Sequence, residues 1–468
     1  IIKGKSHGVQ TFISQIRDPD SQRPLKGLEI GDIGTKGGYQ QKDNGYMYFT
    51  NFKIPRSAIL SRYTKVDREG NFSVKGNPKF AYASMMFVRV YLIHTASLYS
   101  AKALNVALKY GLVRKQFRTL SDSKEERSII EYHSYQNKIT PIIAFSFASL
   151  FAKHKIIDLF ERMIDRIKTK NDFKLMREMH NLGSCLKAHY TQVILDYLKT
   201  TRELCGGHGF SDYAGINNLI DIGSPNVTLE GDNHVMYQQT SKALLKSIAK
   251  IVQGKQLTGS FSYINDIINF QGKKLTDFDP SNLEHLDNIL KVHSLYHLGR
   301  VGQLMQSDPD TSFLEKWNKK YQIDIIKIGN AHAVYVTAAS FLEGIQNSKP
   351  SKNLNIHMTT LCQIHYCHSI LTYGDGALLS GYITPSQLFQ IGEFLQEKIA
   401  EIRPQILNLV ESFHYPEGSI NTVIQPESGD VYQKLYEAAA YNPLNKTTKL
   451  ENFDKCVTPL SQKLASKL

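Results

Sequence analysis

The chain has 468 residues, 41% hydrophobic and 21% charged, a composition that fits two or three ordinary globular domains. No window holds the roughly 20 uninterrupted apolar residues of a membrane-spanning helix, so no membrane span is expected. Lys and Arg outnumber Asp and Glu by 56 to 43, a net charge of +13 that suits an anionic partner such as a phosphate-bearing ligand. The cations are scattered rather than run together, which argues against nucleic acid. Five cysteines in so long a chain make no disulfide framework and fit a reducing compartment.

The chain opens on Ile1, and residues 8–16 read as a strand entered in mid-sheet, so the N-terminus is expected to be a cut edge. Residues 1–78 are rich in Gly and turn signals and read as part of a β-domain. Asp43-Asn44-Gly45 is a tight-turn signal leading into the apolar run 46–54, which Pro55 closes. Residues 29–38 and 65–77 read as loops or short strands.

From residue 79 the period changes. Met85, Val88, Leu92, Ala96, Tyr99, Ala103, Val106 and Tyr110 repeat at three- and four-residue steps and predict one helix stripe. Further helices are predicted near 126–169, 172–204 and 233–252, with a kink at Pro141, where a backbone donor is lost. Four long helices with short links predict an up-down bundle over 79–252. Residues 253–283 lose the period, carry Gly254, Gly259 and Gly272, and read as a linker. Helical patterns resume near 284–306, 312–346, 351–381 and 386–413, giving a second helical domain over 284–468. The chain ends Ser466-Lys467-Leu468. A C-terminal S-K-L is an address read by the peroxisomal import receptor, which predicts a peroxisomal location.

Two segments stand out chemically. Cys205-Gly206-Gly207-His208-Gly209-Phe210-Ser211 follows a long helix, and its glycines would let backbone approach a flat or phosphate-bearing ligand. They would equally serve as a helix C-cap and turn. About twenty residues on, Thr228-Leu229-Glu230-Gly231-Asp232-Asn233-His234 opens the next helix. Glu230 could be an ordinary charge near a helix start or a base at the mouth of a pocket, and Asp232 or Asn233 an N-cap. Cys362, His365, Cys367 and His368 lack a second ligand pair at structural-zinc spacing and read as helix residues, with no metal expected. Ser211-Asp212 with His208 lacks the strand–turn–helix elbow of a nucleophilic serine.

These two segments together resemble the paired signature of acyl-CoA oxidases, "CGGHGYS" followed by "TFEGEN". The resemblance runs in order along the chain, through Gly31-Asp32-Ile33-Gly34, Asp43-Asn44-Gly45-Tyr46, residues 52–60, Val113-Arg114-Lys115-Gln116, Gln136-Asn137-Lys138, Gly429-Asp430-Val431-Tyr432 and Asn442-Pro443-Leu444-Asn445-Lys446. It implies a mainly α fold with a partial β-domain, a four-helix bundle and a second C-terminal helical domain. It also implies FAD as cofactor, fatty acyl-CoA as substrate, O2 as oxidant, H2O2 as product and a homodimer with flavin at its interface.

By the same resemblance Glu230 is the base that removes the α-proton while the β-hydrogen leaves as hydride. The thioester carbonyl is polarised by the flavin ribityl hydroxyl and the Glu230 backbone N–H. Arg114, Gln116 and Gln136 match positions around the flavin's diphosphate and adenine end, Gly206 and Gly207 the backbone that nears the flavin across the dimer, and Asp232 and Asn233 residues beside it. The departures are His133 in place of Gln, Phe117 in place of a small residue, and Asp232 and His234 in place of the usual "GENT". The resemblance places an N-terminal helical domain and the first half of the β-domain ahead of Ile1, so this chain alone is expected to bind FAD poorly. An acyl-CoA dehydrogenase and a non-catalytic CoA-binding paralogue are the alternatives. The second helical domain, the "CGGHG" form and S-K-L favour the oxidase over the dehydrogenase, and Glu230 speaks against the paralogue.

Overall fold

The computed structural model describes residues 1–75, 80–118, 124–348, 350–416, 418–426 and 428–467, and within 80–84 the backbone only. The predicted boundary at 78/79 and Leu468 of the terminal tripeptide lie outside the described residues. Among the described residues the molecule is mainly helical, with three two-stranded antiparallel sheets.

β1 (Leu28–Asp32) pairs with β2 (Gly45–Phe49), with Gly31 opposite Tyr46, so Asp43-Asn44-Gly45 leads into the second strand as expected. β3 (Thr64–Val66) pairs with β4 (Phe72–Val74). Residues 8–16 do not form the expected strand. They touch a neighbour at a single bridge, Phe12 to Ile59, and the exposure of Val9 and Ile13 leaves no apolar face to fix a register.

α1 (Phe80–Val113), α2 (His133–Lys170), α3 (Leu175–Leu204) and α6 (Asn233–Val252) are the four long helices. The short α4 (Gly206–Phe210) and α5 (Ile216–Gly223) lie between α3 and α6. Met85 is exposed, against expectation, while Met86, Val90 and Ile93 are buried. From Arg89 onward α1 is covered on most of its circumference, so a single stripe under-reads it. The helix predicted from residue 126 starts at His133. Before it, β6 (Glu126–Ser128) pairs with β5 (Lys115–Arg118), pinned by the Tyr132 hydroxyl donating to the Gln116 carbonyl at 2.7 Å. α2 continues through Pro141 to Asn171, whose left-handed φ of 48° ends it.

Beyond the bundle come α7 (Leu283–Gln306), α8 (Gln322–Ser348), α9 (Lys352–Tyr373) and α10 (Pro385–Ile402). Asn282 caps α7, Ser351 caps α9, and Thr384 with Gln387 forms a capping box on α10. By length and composition α8 could cross a membrane, but 72% of its most apolar window is buried here, against α2, α3, α6, α7 and α9. One apolar core runs from α1 to Val431.

Residues 253–283, read as a linker, are instead partly packed. Ile264 and Tyr263 are buried, and the Tyr263 hydroxyl bridges Ser294 Oγ at 2.8 Å and His332 Nδ1 at 2.9 Å. Tyr263→Phe is expected to lower stability by about 1–3 kcal/mol, because it strips a buried imidazole nitrogen of its partner. Urea unfolding of the two proteins side by side checks this, and an unchanged midpoint would mean the bridge is idle.

Candidate active site

Two neighbourhoods collect the predicted residues. The first is a cavity of about 580 Å³ where the end of α1, the β5–β6 hairpin, the start of α2 and α4 meet. Arg114, Gln116, Gly206 and Gly207 all line it, with Tyr110, Tyr132, Lys138 and His208. Arg114 is aimed by two bonds, Nη2 to Gln116 Oε1 at 2.9 Å and Nη1 to the Tyr432 hydroxyl at 3.1 Å. Burial pushes the Tyr110 phenol up to about 12, so it stays neutral. Gln136 is not on the wall. It is buried behind it and donates to the Ile130 carbonyl at 3.0 Å.

The three glycines of the motif divide by what surrounds them. A Cβ on Gly209 would collide with the Arg202 carbonyl, so that glycine serves packing. Gly206, at φ 56°, reverses the chain after α3. A Cβ on Gly206 or Gly207 would meet nothing within 4 Å in this chain. No contact among the described residues requires Gly207 to be glycine, and both open onto the cavity. A bare backbone cradle with Arg114 and Lys138 beside it fits the dinucleotide end of a flavin cofactor.

The second neighbourhood is the loop before α6. Glu230 is half-buried and has φ 58°, a left-handed backbone that non-glycine residues seldom adopt. Gly231 follows at φ 108°, where a Cβ would also strike Met236. Asp232, not Asn233, is the N-cap, accepting from the His234 N–H at 2.9 Å. The Asn233 side chain is buried and committed to Thr191 and Lys187, so it braces the loop. Arg89 is buried near Glu230, bonded to Ser184 Oγ and His180 Nδ1 at 3.3 Å each, with no partner for its Nε among the described residues. Glu230 is not part of the cavity wall around Arg114.

Sequence reading missed Lys187, Arg89 and Tyr432. Lys187 shares its helix face with the small residues Gly183, Ser184 and Thr191, but a lone lysine in a helix is ordinarily a solvated charge, so the spacing alone did not mark it as buried. Also missed were His293, His297 and Asp375, whose ligand atoms lie within 4.8 Å of one another. Their lone pairs are engaged already: Lys327 is paired with Asp375, and the Gly376 N–H donates to His293 Nδ1 at 3.1 Å. Cys362, His365 and Cys367 are buried in α9.

Comparison with known proteins settles the family. Residues 82–245 match the family model "Acyl-CoA oxidase, C-alpha1 domain", and residues 282–462 the model "Acyl-CoA oxidase". The chain is 30% identical to peroxisomal acyl-coenzyme A oxidase 1 of Rattus norvegicus, over 99% of this chain and 71% of the rat protein. The chain belongs to the acyl-CoA oxidase family. The solved acyl-CoA oxidase 1 of Arabidopsis thaliana superposes with a TM-score of 0.91 at 27% identity, covering 99% of this chain and 71% of that one. Acyl-CoA oxidase-2 of Caenorhabditis elegans, bound with FAD, ascaroside-CoA and ATP, gives 0.90 at 26% identity, over 99% and 69%. The protein is therefore an acyl-CoA-oxidising enzyme of fatty acid β-oxidation, with FAD as its cofactor. The second helical domain that separated oxidase from dehydrogenase in the sequence coincides with the stretch the second family model matches.

Proposed function

We propose that Glu230 is the base of the α,β-dehydrogenation of a fatty acyl-CoA to the trans-2-enoyl-CoA. The observation that carries this is its backbone: a carboxylate held at φ 58° immediately before a helix, in a niche with a buried guanidinium, is strain of the kind kept at working sites. An α-proton beside a thioester is only weakly acidic, so the carboxylate must meet it out of bulk water. The backbone N–H of Glu230 donates to the thioester oxygen as enolate character grows. Bound FAD supplies the acceptor for the hydride that leaves the β-carbon, and the electrons end on O2 as H2O2.

Arg114 and Lys138 hold the cofactor's diphosphate, Gln116 its polar edge, and Gly206 and Gly207 admit it against bare backbone. Glu230 is not on that wall, which supports a homodimer in which each flavin is shared between the cavity of one copy and the base of the other. Helices of 79–252 carry both neighbourhoods, and 284–468 braces them. Ser466-Lys467-Leu468 address the enzyme to the peroxisome. Anaerobic mixing of the FAD-loaded enzyme with a long-chain acyl-CoA tests the reaction. Loss of the oxidised-flavin absorbance with one enoyl-CoA formed per flavin is expected, and unaltered absorbance contradicts it.

A further inference from the structure

Lys187 has no exposed surface, although it lies in the middle of α3. Burying an ammonium costs several kcal/mol unless its protons find acceptors, and Arg89 on α1 adds a second positive charge nearby. An apolar side chain of that length would fill the space without this cost. The acceptors that offset it all belong to one segment. Lys187 Nζ donates to the Gly231 carbonyl at 2.7 Å, to Asn233 Oδ1 at 2.9 Å and, more weakly, to the Val227 carbonyl at 3.5 Å. Thr191, one turn along α3, accepts from the Asn233 amide nitrogen at 3.1 Å and so holds that side chain in place. The three acceptors bracket Glu230 on both sides, in a stretch with two consecutive positive φ values, at Glu230 and Gly231.

We propose that Lys187 is a positioning residue that clamps the 227–233 segment and so holds Glu230 in its left-handed backbone, aimed at the substrate α-carbon. The inference rests on Glu230 being the base. Lys187 touches neither substrate nor cofactor and acts only through the segment it grips.

The charged groups around the ammonium are Arg89 from α1, with His180 behind it, and Glu230 and Asp232 from the clamped segment. Burial first, and then Arg89, push its pKa down to about 8, against the pull of Asp232 and Glu230. Because that value still lies above neutrality, the ammonium keeps its N–H donors on the segment at pH 7. A neutral amine has only two N–H groups for three oxygens.

The test is made on the FAD-loaded enzyme with Lys187→Met. Amide exchange of 228–234 is expected to rise about tenfold or more, while the middle of α3 stays protected. kcat is expected to fall about 10- to 100-fold, the usual cost of a misplaced reacting group, with KM and flavin content nearly unchanged. Wild-type exchange and wild-type kcat in Lys187→Met overturn the proposal. Should that variant not fold, Lys187→Gln, whose amide reaches one bond less far than the ammonium, decides by the same readouts: raised exchange of 228–234 with lowered kcat supports the clamp, and wild-type values of both overturn it. Failure of the Glu230 reading is seen separately, as activity retained in Glu230→Gln, because loop exchange does not depend on who takes the proton.

Discussion

Glu230→Gln is expected to lower the rate of acyl-CoA oxidation about 10²- to 10⁴-fold, the range typical of a lost general base, with FAD still bound. The amide matches the carboxylate in size, and at φ 58° it meets the same backbone restriction, so the fold has little reason to respond. It cannot accept the α-proton. The backbone N–H proposed to polarise the thioester carbonyl stays in place, so substrate should still bind and residual turnover should survive at the low end. Rapid-mixing measurement of flavin bleaching under anaerobic conditions isolates this step from reoxidation. A bleaching rate close to wild type would move the base elsewhere.

Gly207→Val is the second large effect. A Cβ at this position meets nothing within 4 Å among the described residues, and the position does not need a left-handed φ, so the folded chain is expected to tolerate the substitution. Its cost falls on whatever lies against that backbone from outside. Overpacking a close contact typically costs 1–3 kcal/mol, which corresponds to flavin binding weakened about 10- to 100-fold. Fluorescence titration of the apoenzyme with FAD gives the affinity, and thermal unfolding of the apoenzyme gives the control. Weakened binding with an unchanged apo transition places flavin against Gly207. Unchanged affinity removes it from the cofactor site.

The long bundle helices were legible because their apolar residues recur at helical spacing, and α2, α3 and α6 lie close to where that spacing puts them. Where a helix is covered nearly all round, the period weakens. That is why Met85 was assigned to the buried stripe while Arg89, which is buried, was passed over. Residues 126–132 carry apolar residues at helix-compatible steps, yet pairing with β5 outweighs that local preference. The packed stretch around Tyr263 was hidden by its glycines, which mark turns without saying whether the turns are covered.

At the site, Glu230, Arg114 and the glycine pair came from the resemblance of short motifs. Their pairings did not: Tyr432 stands in a resembling motif but lies 318 residues from the Arg114 it bonds, and Lys187 lies 44 from Gly231. A lone lysine in a helix is ordinarily a solvated charge, and only its three inward acceptors make it something else.

The central claim is that this chain oxidises acyl-CoA with Glu230 as the base and O2 as the final acceptor. The most direct measurement is H2O2 release from the FAD-loaded enzyme in air-saturated buffer, with a long-chain acyl-CoA and no added electron acceptor. Steady peroxide formation that nearly vanishes in Glu230→Gln is the predicted result. Flavin bleached by substrate without peroxide, or peroxide undiminished in Glu230→Gln, would contradict it.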